Sequence, residues 1–142
     1  MLKLLIPVDG SDASLRAIEA AARLARESTV EATLIHVREG LGTYHGDRSP
    51  REYERIAEHE RDRQAKVLDE AVAKARGAGL QDVVAQAEAG TPDIDIPRVA
   101  TQRGVDMIVM ATRGLGAVGA LLMGSTAQKV VHHSTVPVLL VK

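Results

Sequence analysis

The 142-residue chain contains no cysteine, phenylalanine or tryptophan, and only two tyrosines, Tyr44 and Tyr53. The absence of cysteine excludes a disulfide framework and thiolate chemistry. The formal net charge is −1, and the sequence has no basic block and almost no rings on which bases could stack. A nucleic-acid surface needs both features, so we expect a small-molecule or protein partner instead.

Long hydrophobic runs are also missing. The apolar runs "MIVMA" and "VPVLLV" are far shorter than the ~18 residues that a membrane helix needs. The amino-terminal run reaches Pro7 and Asp9 before the core of a signal peptide could form. These features predict a cytoplasmic protein with no membrane partner. The length is that of about one domain, so residues 1–142 are expected to form a single domain.

Short apolar runs alternate with segments of helical periodicity along the chain. Strands are predicted at residues 2–8, 30–37, 82–89, 105–111 and 136–142, and helices over a segment that includes 18–25, at 49–78, within 91–104 and at 124–134. Such alternation is typical of a parallel sheet with helices on both faces. We therefore predict an α/β fold, with one doubly wound five-stranded sheet of order 3-2-1-4-5.

Two helices carry more specific expectations. In the third helix, Pro97 fits the first turn if Asp95 caps the helix, whereas a helix beginning at Thr91 would be broken at Pro97. The start of this helix is therefore left open. The last helix is expected to bury Ala127, Val130 and Val131.

The order 3-2-1-4-5 also predicts where a ligand binds. In doubly wound sheets, ligands lie beyond the carboxyl ends of the strands where the order reverses, here between strands 1 and 4. Asp9 and Gly10 follow strand 1, and Ala111 to Gly114 follow strand 4. Asp9 has two interpretations, a ligand contact or a turn and helix-cap residue.

The segment "RGLGAVGALLMGST", residues 113–126, matches three phosphate-binding patterns. A dinucleotide fingerprint is disfavoured because it follows the fourth strand and no acidic residue occurs after Asp106. A P-loop is disfavoured because Ser125 stands in place of the lysine. The third interpretation places Gly124 and Ser125 at a helix amino terminus, where free N–H groups and the helix dipole receive phosphate. A merely flexible glycine connection is the alternative.

Several motifs together resemble the universal stress protein family over essentially the whole chain: "IPVDGSDAS", "LIHV", "EAGTP", "VDMIVMATRGLG" and "LLMGSTAQKVVHHSTVPVLLVK". Members of this family that bind ATP are associated with the pattern G-x2-G-x9-G-[ST]. Gly114, Gly124 and Ser125 match its last positions, but Ala111 replaces the first glycine. That replacement costs about 1–2 kcal/mol if the position needs left-handed geometry, and little more than space if it is extended.

The resemblance implies a set of residues around ATP. Asp9 would contact the nucleoside, and Val37 would offer backbone groups to adenine. The phosphates would lie against Gly114, Gly124, Ser125 and Thr126, and the pocket would be lined by Pro7, Val8 and Met110. The nine residues before Gly124 include no lysine or arginine, so Arg113 is the basic residue at hand. The implied ATP site is one of modest affinity, or one that depends on Mg²⁺.

No catalytic or metal-binding pattern is present, and the sequence gives no case for a dedicated enzyme. We predict a cytoplasmic, ATP-binding stress sensor or regulator that acts on an unidentified protein partner. The alternatives are a family member that binds no nucleotide and serves as a protein-interaction module, or a slow ATPase. The apolar strand at 136–141 would lie at a sheet edge, which predicts a homodimer through it, as the resemblance also implies.

Overall fold

The computed structural model describes residues 1–40, 48–113 and 123–142. Strands and helices alternate in these residues, in the order β1 (Leu2–Pro7), α1 (Asp12–Leu24), β2 (Val30–Arg38), α2 (Pro50–Gly77), β3 (Asp82–Ala89), α3 (Pro92–Arg103), β4 (Met107–Ala111), α4 (Ser125–His133) and β5 (Val138–Val141). All neighbouring strands are parallel, and the sheet order is β3-β2-β1-β4-β5. The predicted doubly wound α/β fold is confirmed.

The sheet separates two hydrophobic layers. Leu4 and Ile6 of β1 pack on one face with residues of α1 and α2, while Leu5 packs on the other face with residues of α3 and α4. Successive side chains of a strand point to opposite faces, and a parallel sheet covered on both faces buries both sets. This explains why consecutive residues of β1, Leu4, Leu5 and Ile6, are all apolar and buried.

Serine residues fix the start of two helices. Ser11 Oγ accepts a hydrogen bond from the Ser14 N–H at 3.2 Å, and Ser49 Oγ accepts one from the Glu52 N–H at 3.2 Å. Each hydroxyl satisfies an N–H group that the first helical turn leaves without a partner. Pro50 occupies the first position of α2, where its missing N–H costs nothing.

The third helix differs from its predicted form. It begins at Pro92, is capped by Thr91 and continues through Pro97, so the expectation that such a helix would break at Pro97 was wrong. A proline inside a helix costs about 3 kcal/mol through a lost hydrogen bond and a clash. Burial of three side chains on the same helix offsets that cost: Ile96, Val99 and Ala100. Asp95 supports the start by accepting a hydrogen bond from the Thr91 N–H at 2.8 Å.

The last helix also requires a correction. Ala127 and Val130 are buried as expected, but Val131 is 42% exposed. Consecutive residues of a helix point about 100° apart, because a turn takes 3.6 residues. A short helix that directs Val130 into the core therefore turns Val131 toward solvent.

Within residues 1–40, 48–113 and 123–142, no helix combines the length and apolarity needed to cross a membrane.

Candidate functional site

The strand order reverses between β1 and β4, and we call the space beyond the carboxyl ends of these two strands the crevice. Strand β1 pairs with β2 in six positions, ending at Pro7 opposite Ile35. The same strand pairs with β4 in two positions only, Leu4 with Met107 and Leu5 with Ile108. Among the described residues, β1 and β4 are thus not paired with each other toward their carboxyl ends, although each stays paired with its other neighbour. This is the edge at which the sequence predicts a ligand.

The amino terminus of α4 lies next to the same edge. Thr112, just after β4, donates its N–H to the Val141 carbonyl at 2.9 Å and accepts a hydrogen bond from the Gly124 N–H at 2.6 Å. These two bonds join the end of β4 to β5 on one side and to the start of α4 on the other. Gly114 and the residues that follow it to position 122 lie outside the described residues.

The first turn of α4 has no side-chain cap. Gly124 is the N-cap residue, with φ −60° and ψ 153°, and makes no side-chain hydrogen bond. Ser125 and Thr126, the first two helical residues, are exposed. Helices α1 and α2, in contrast, have serine caps. The start of α4 thus lies beside the end of β4 without a side-chain cap, and a helix amino terminus of this kind can accept an anion such as phosphate.

Ala111 lies in β4, opposite Val141 of β5. Within the described part of the chain, no residue other than glycine has a positive φ. The backbone of Ala111 is thus extended, and the penalty for left-handed geometry does not arise. What distinguishes this position from the glycine of the family pattern is one methyl group.

Asp9 takes part in the turn that follows β1. Its Oδ1 accepts a hydrogen bond from the Ser11 N–H at 2.9 Å, and Gly10 between them has φ 85°, a left-handed value that favours glycine. The turn interpretation of Asp9 therefore describes its local structure. A nucleoside contact would use this half-buried carboxylate and stays a prediction.

The other residues of the predicted pocket surround the ends of β1, β2 and β4. The side chain of Val8 packs toward α1 and α2, whereas Val37 and Met110 pack toward α3 and α4. Pro7 ends β1, and half-buried Arg113 follows β4.

The backbone of Val37 faces the crevice side. The carbonyl of Ile35 accepts a hydrogen bond from the Val8 N–H at 2.8 Å, so it points toward β1. Residues two apart along a strand direct their backbone groups to the same neighbour. The N–H and carbonyl of Val37 therefore point to the same side as those of Ile35, at the level where β1 has ended.

Sequence reasoning missed a buried polar pair beside this edge. Gln64 of α2 and His36 of β2 are 5% and 6% exposed. Gln64 Nε2 lies 2.9 Å from the His36 carbonyl oxygen, 2.8 Å from the Glu88 carbonyl oxygen and 2.9 Å from Nδ1 of His36. The sequence does contain a sign that Gln64 is buried. It lies on the same face of α2 as the buried residues Leu68, Ala71 and Ala75, at helical spacing.

The surroundings of His36 disfavour its charged form. Burial lowers the pKa of His36 below its ordinary value of 6.5, and Arg63 lowers it further, against the opposing charges of Asp9 and Glu60. Nδ1 faces the Gln64 amide nitrogen, which has hydrogen atoms and no lone pair to offer. This contact favours the neutral tautomer that carries its proton on Nε2.

A separate groove of about 660 Å³ lies between α1 and α2, with Ile18, Val67 and Ala71 among its apolar lining. It includes Val8 but no residue of α4, so it does not coincide with the crevice. Among the residues with described positions, no group of three or more His, Cys, Asp or Glu side chains is arranged to hold a metal ion.

Comparison with known proteins identifies relatives along the whole chain. The model of the universal stress protein family matches residues 1–142. Universal stress protein YxiE of Bacillus subtilis is 34% identical over 146 residues, which cover 99% of this chain and 98% of the relative.

Two solved structures share the fold. A universal stress protein in complex with cAMP superposes with a TM-score of 0.76 at 23% identity, covering 99% of this chain and 97% of the other. The universal stress protein from Archaeoglobus fulgidus in complex with dAMP superposes with a TM-score of 0.66 at 24% identity, covering 100% and 98%. Together with the full-length family match, these findings show that the chain belongs to the universal stress protein family.

Proposed function

We propose that this protein binds an adenine nucleotide, ATP in the first place, in the crevice between β1 and β4, and that it acts in the cytoplasm as a nucleotide-responsive stress sensor or regulator. The observation that carries the proposal is the hydrogen bond from the Gly124 N–H to the Thr112 carbonyl. It sets the uncapped start of α4 against the open end of the sheet, where phosphate would be received.

The proposed placement follows the geometry of the edge. The phosphates lie against Gly124, Ser125 and Thr126, with Arg113 beside them. Gly114 is assigned to the phosphates by the family pattern alone, because it lies outside the described residues. Adenine meets the backbone of Val37, and Asp9 contacts the ribose. The remaining contacts are apolar, from Pro7, Val8, Met110 and Ala111. Mg²⁺ would accompany the phosphates, because the insert before Gly124 supplies no positive charge.

The family supports this choice of ligand. Two proteins of the same fold are solved with cAMP and with dAMP, both of which combine adenine with a single phosphate. These likenesses establish the fold, and the nucleotide is our proposal for this chain. Residues 1–142 would then act as one nucleotide-binding domain.

The proposal is tested by thermal shift with ATP, AMP, cAMP and GTP, each with and without Mg²⁺. A ligand that binds the folded state alone raises its stability by about 2.7 kcal/mol at a hundredfold excess over Kd. We expect adenine nucleotides to raise the melting temperature and GTP to raise it less. No shift with any nucleotide would favour a protein-interaction module instead, and release of phosphate from ATP would favour a slow ATPase.

The second part of the proposal concerns assembly. Strand β5 lies at an edge of the sheet, and Leu139 is 37% exposed there. An apolar edge strand presents unpaired backbone groups that another chain can cover. We propose a homodimer in which residues 136–141 of two chains meet, and this dimer presents the nucleotide state to a regulatory partner.

A further inference from the structure

The strongest unassigned feature is the contact between Gln64 and the ends of β2 and β3. Glutamine is seldom buried without a set of hydrogen-bond partners. The Gln64 amide nitrogen reaches two carbonyl oxygens on neighbouring strands, those of His36 at 2.9 Å and Glu88 at 2.8 Å. Both N–H groups of the amide are therefore hydrogen-bonded. Through these bonds the side chain connects the middle of α2 to β2 and β3 near their carboxyl ends.

The same amide nitrogen also lies beside the His36 ring. With Nδ1 2.9 Å from a nitrogen that carries hydrogen atoms, a proton on Nδ1 would face another donor. The groups whose charges act on the imidazole are Arg63 and Glu60 on α2 and Asp9 after β1. Asp9 belongs to the proposed nucleotide site, so the charge of His36 bears directly on that site.

Gln64 therefore binds the two residues that adjoin Val37, whose backbone is proposed to meet adenine. His36, whose carbonyl it binds, precedes Val37, and the register sets Val37 opposite Glu88, the other residue that it binds. A shift of these two carbonyls would move the backbone groups of Val37, and misplacement of a contact by a fraction of an ångström weakens binding.

We propose that Gln64 is a positioning residue of the nucleotide site: it fixes the backbone at Val37 through the His36 and Glu88 carbonyls and holds His36 neutral beside Asp9. This inference rests on the proposed function. Gln64 itself touches no nucleotide, and its effect passes through the backbone and through the charge state of His36.

Gln64→Met tests the positioning role. Methionine has a similar length and no donor, so the side-chain volume is kept while both hydrogen bonds are lost. We expect ATP affinity about tenfold weaker, because a displaced Val37 backbone would weaken its contact with adenine by about the worth of one net hydrogen bond. The control is Gln81→Met, the same change at an exposed residue just before β3, which should leave affinity unchanged.

Gln64→Glu tests the charge role. A carboxylate at this position would accept a hydrogen bond from Nδ1–H and cannot donate to the two carbonyls. We expect the pKa of His36 to rise and its proton to occupy Nδ1, both observed by ¹H–¹⁵N NMR of the imidazole in nucleotide-free protein. Protonated His36 would then attract Asp9, so ATP affinity should fall as the pH is lowered below neutral.

The outcomes separate this inference from the proposed function. Failure of the unmodified protein to bind ATP overturns both. ATP binding that is unchanged by Gln64→Met, in a variant whose folded state is verified by NMR, overturns the positioning role alone. A proton on Nδ1 of His36 in the unmodified protein overturns the charge role.

Discussion

Gly124 donates its backbone N–H to the carbonyl oxygen of Thr112 at 2.6 Å. This bond links the first residue before α4 to the first residue after β4, although 11 residues separate them in the chain. The N–H of the cap residue is therefore already hydrogen-bonded within the protein. The N–H groups that follow, in the first helical turn, are the ones placed to bind a phosphate.

Gly124→Val should weaken ATP binding at least tenfold while the fold is kept. The backbone of Gly124 is extended, so valine can adopt it, but its branched side chain would cover the N–H groups of Ser125 and Thr126. The expected cost in folding stability is about 1 kcal/mol, that of a poor N-cap. Calorimetric titration and circular dichroism measure the two effects.

The matched control is Gly77→Val, at the end of α2, where an added Cβ meets no atom within 4 Å. This variant should bind ATP as the unmodified protein does. If Gly124→Val and Gly77→Val bound ATP with equal affinity, the phosphates could not lie at the start of α4.

Ala111→Gly asks whether the departure from the family pattern matters. Because Ala111 is extended and lies within β4, its methyl group creates no backbone strain. We expect ATP affinity to be equal or tighter, since glycine only adds space. The free energy of unfolding should fall by about 0.5–1 kcal/mol, because glycine is more flexible in the unfolded chain. Clearly weaker ATP binding by the variant would contradict our placement of this residue.

The sheet order could be predicted from the sequence because its signals are local and repeated. Most strands are short apolar runs followed by a turn or a helix cap, and right-handed crossovers restrict the order of parallel strands. The position of the crevice followed from that order. The family resemblance, in contrast, supplied the roles of single residues such as Val37, which no periodicity reveals.

The errors arose where tertiary packing overrides a local rule. Pro97 breaks an isolated helix, but burial of Ile96 and Val99 holds α3 together through it. Gln64 was missed because a polar residue on an apolar helical face is usually ignored when apolar residues are counted. Its partners are carbonyl groups of β2 and β3, and the sequence alone does not show which carbonyls lie beneath a helix.

Acid should destabilise the fold through His36. Its pKa is lowered in the folded protein, chiefly by burial, while the unfolded chain has the ordinary value of 6.5. As the pH falls below 6.5, His36 binds a proton in the unfolded chain before it does so in the folded protein. The free energy of unfolding therefore decreases. Above that pH both states are neutral at His36, and this group adds no pH dependence.

Urea unfolding between about pH 5 and pH 8, the range in which histidine changes its charge, measures this effect. His36→Gln should flatten the acid side of the profile, whereas His59→Gln, at an exposed position of α2, should leave it unchanged. Identical slopes for the unmodified protein and His36→Gln would show that His36 does not govern the acid response.

Leu139→Lys should convert the proposed dimer into monomers. Leu139 is exposed on β5, whereas its neighbour Leu140 packs against the layer of α3 and α4. A charged lysine on an edge strand opposes pairing with a second chain. Light scattering measures the mass, and Val84→Lys on the opposite edge strand β3 is the control that should remain dimeric. A monomeric unmodified protein would rule out the dimer.

The central claim is that the crevice between β1 and β4 binds ATP, and isothermal titration of the purified, unmodified protein with ATP and Mg²⁺ tests it most directly. We expect a saturable heat with one nucleotide per chain, and binding at least tenfold weaker in Gly124→Val. No heat at millimolar ATP (about −4 kcal/mol of binding free energy) would contradict it and leave the protein as a family member that works without a nucleotide.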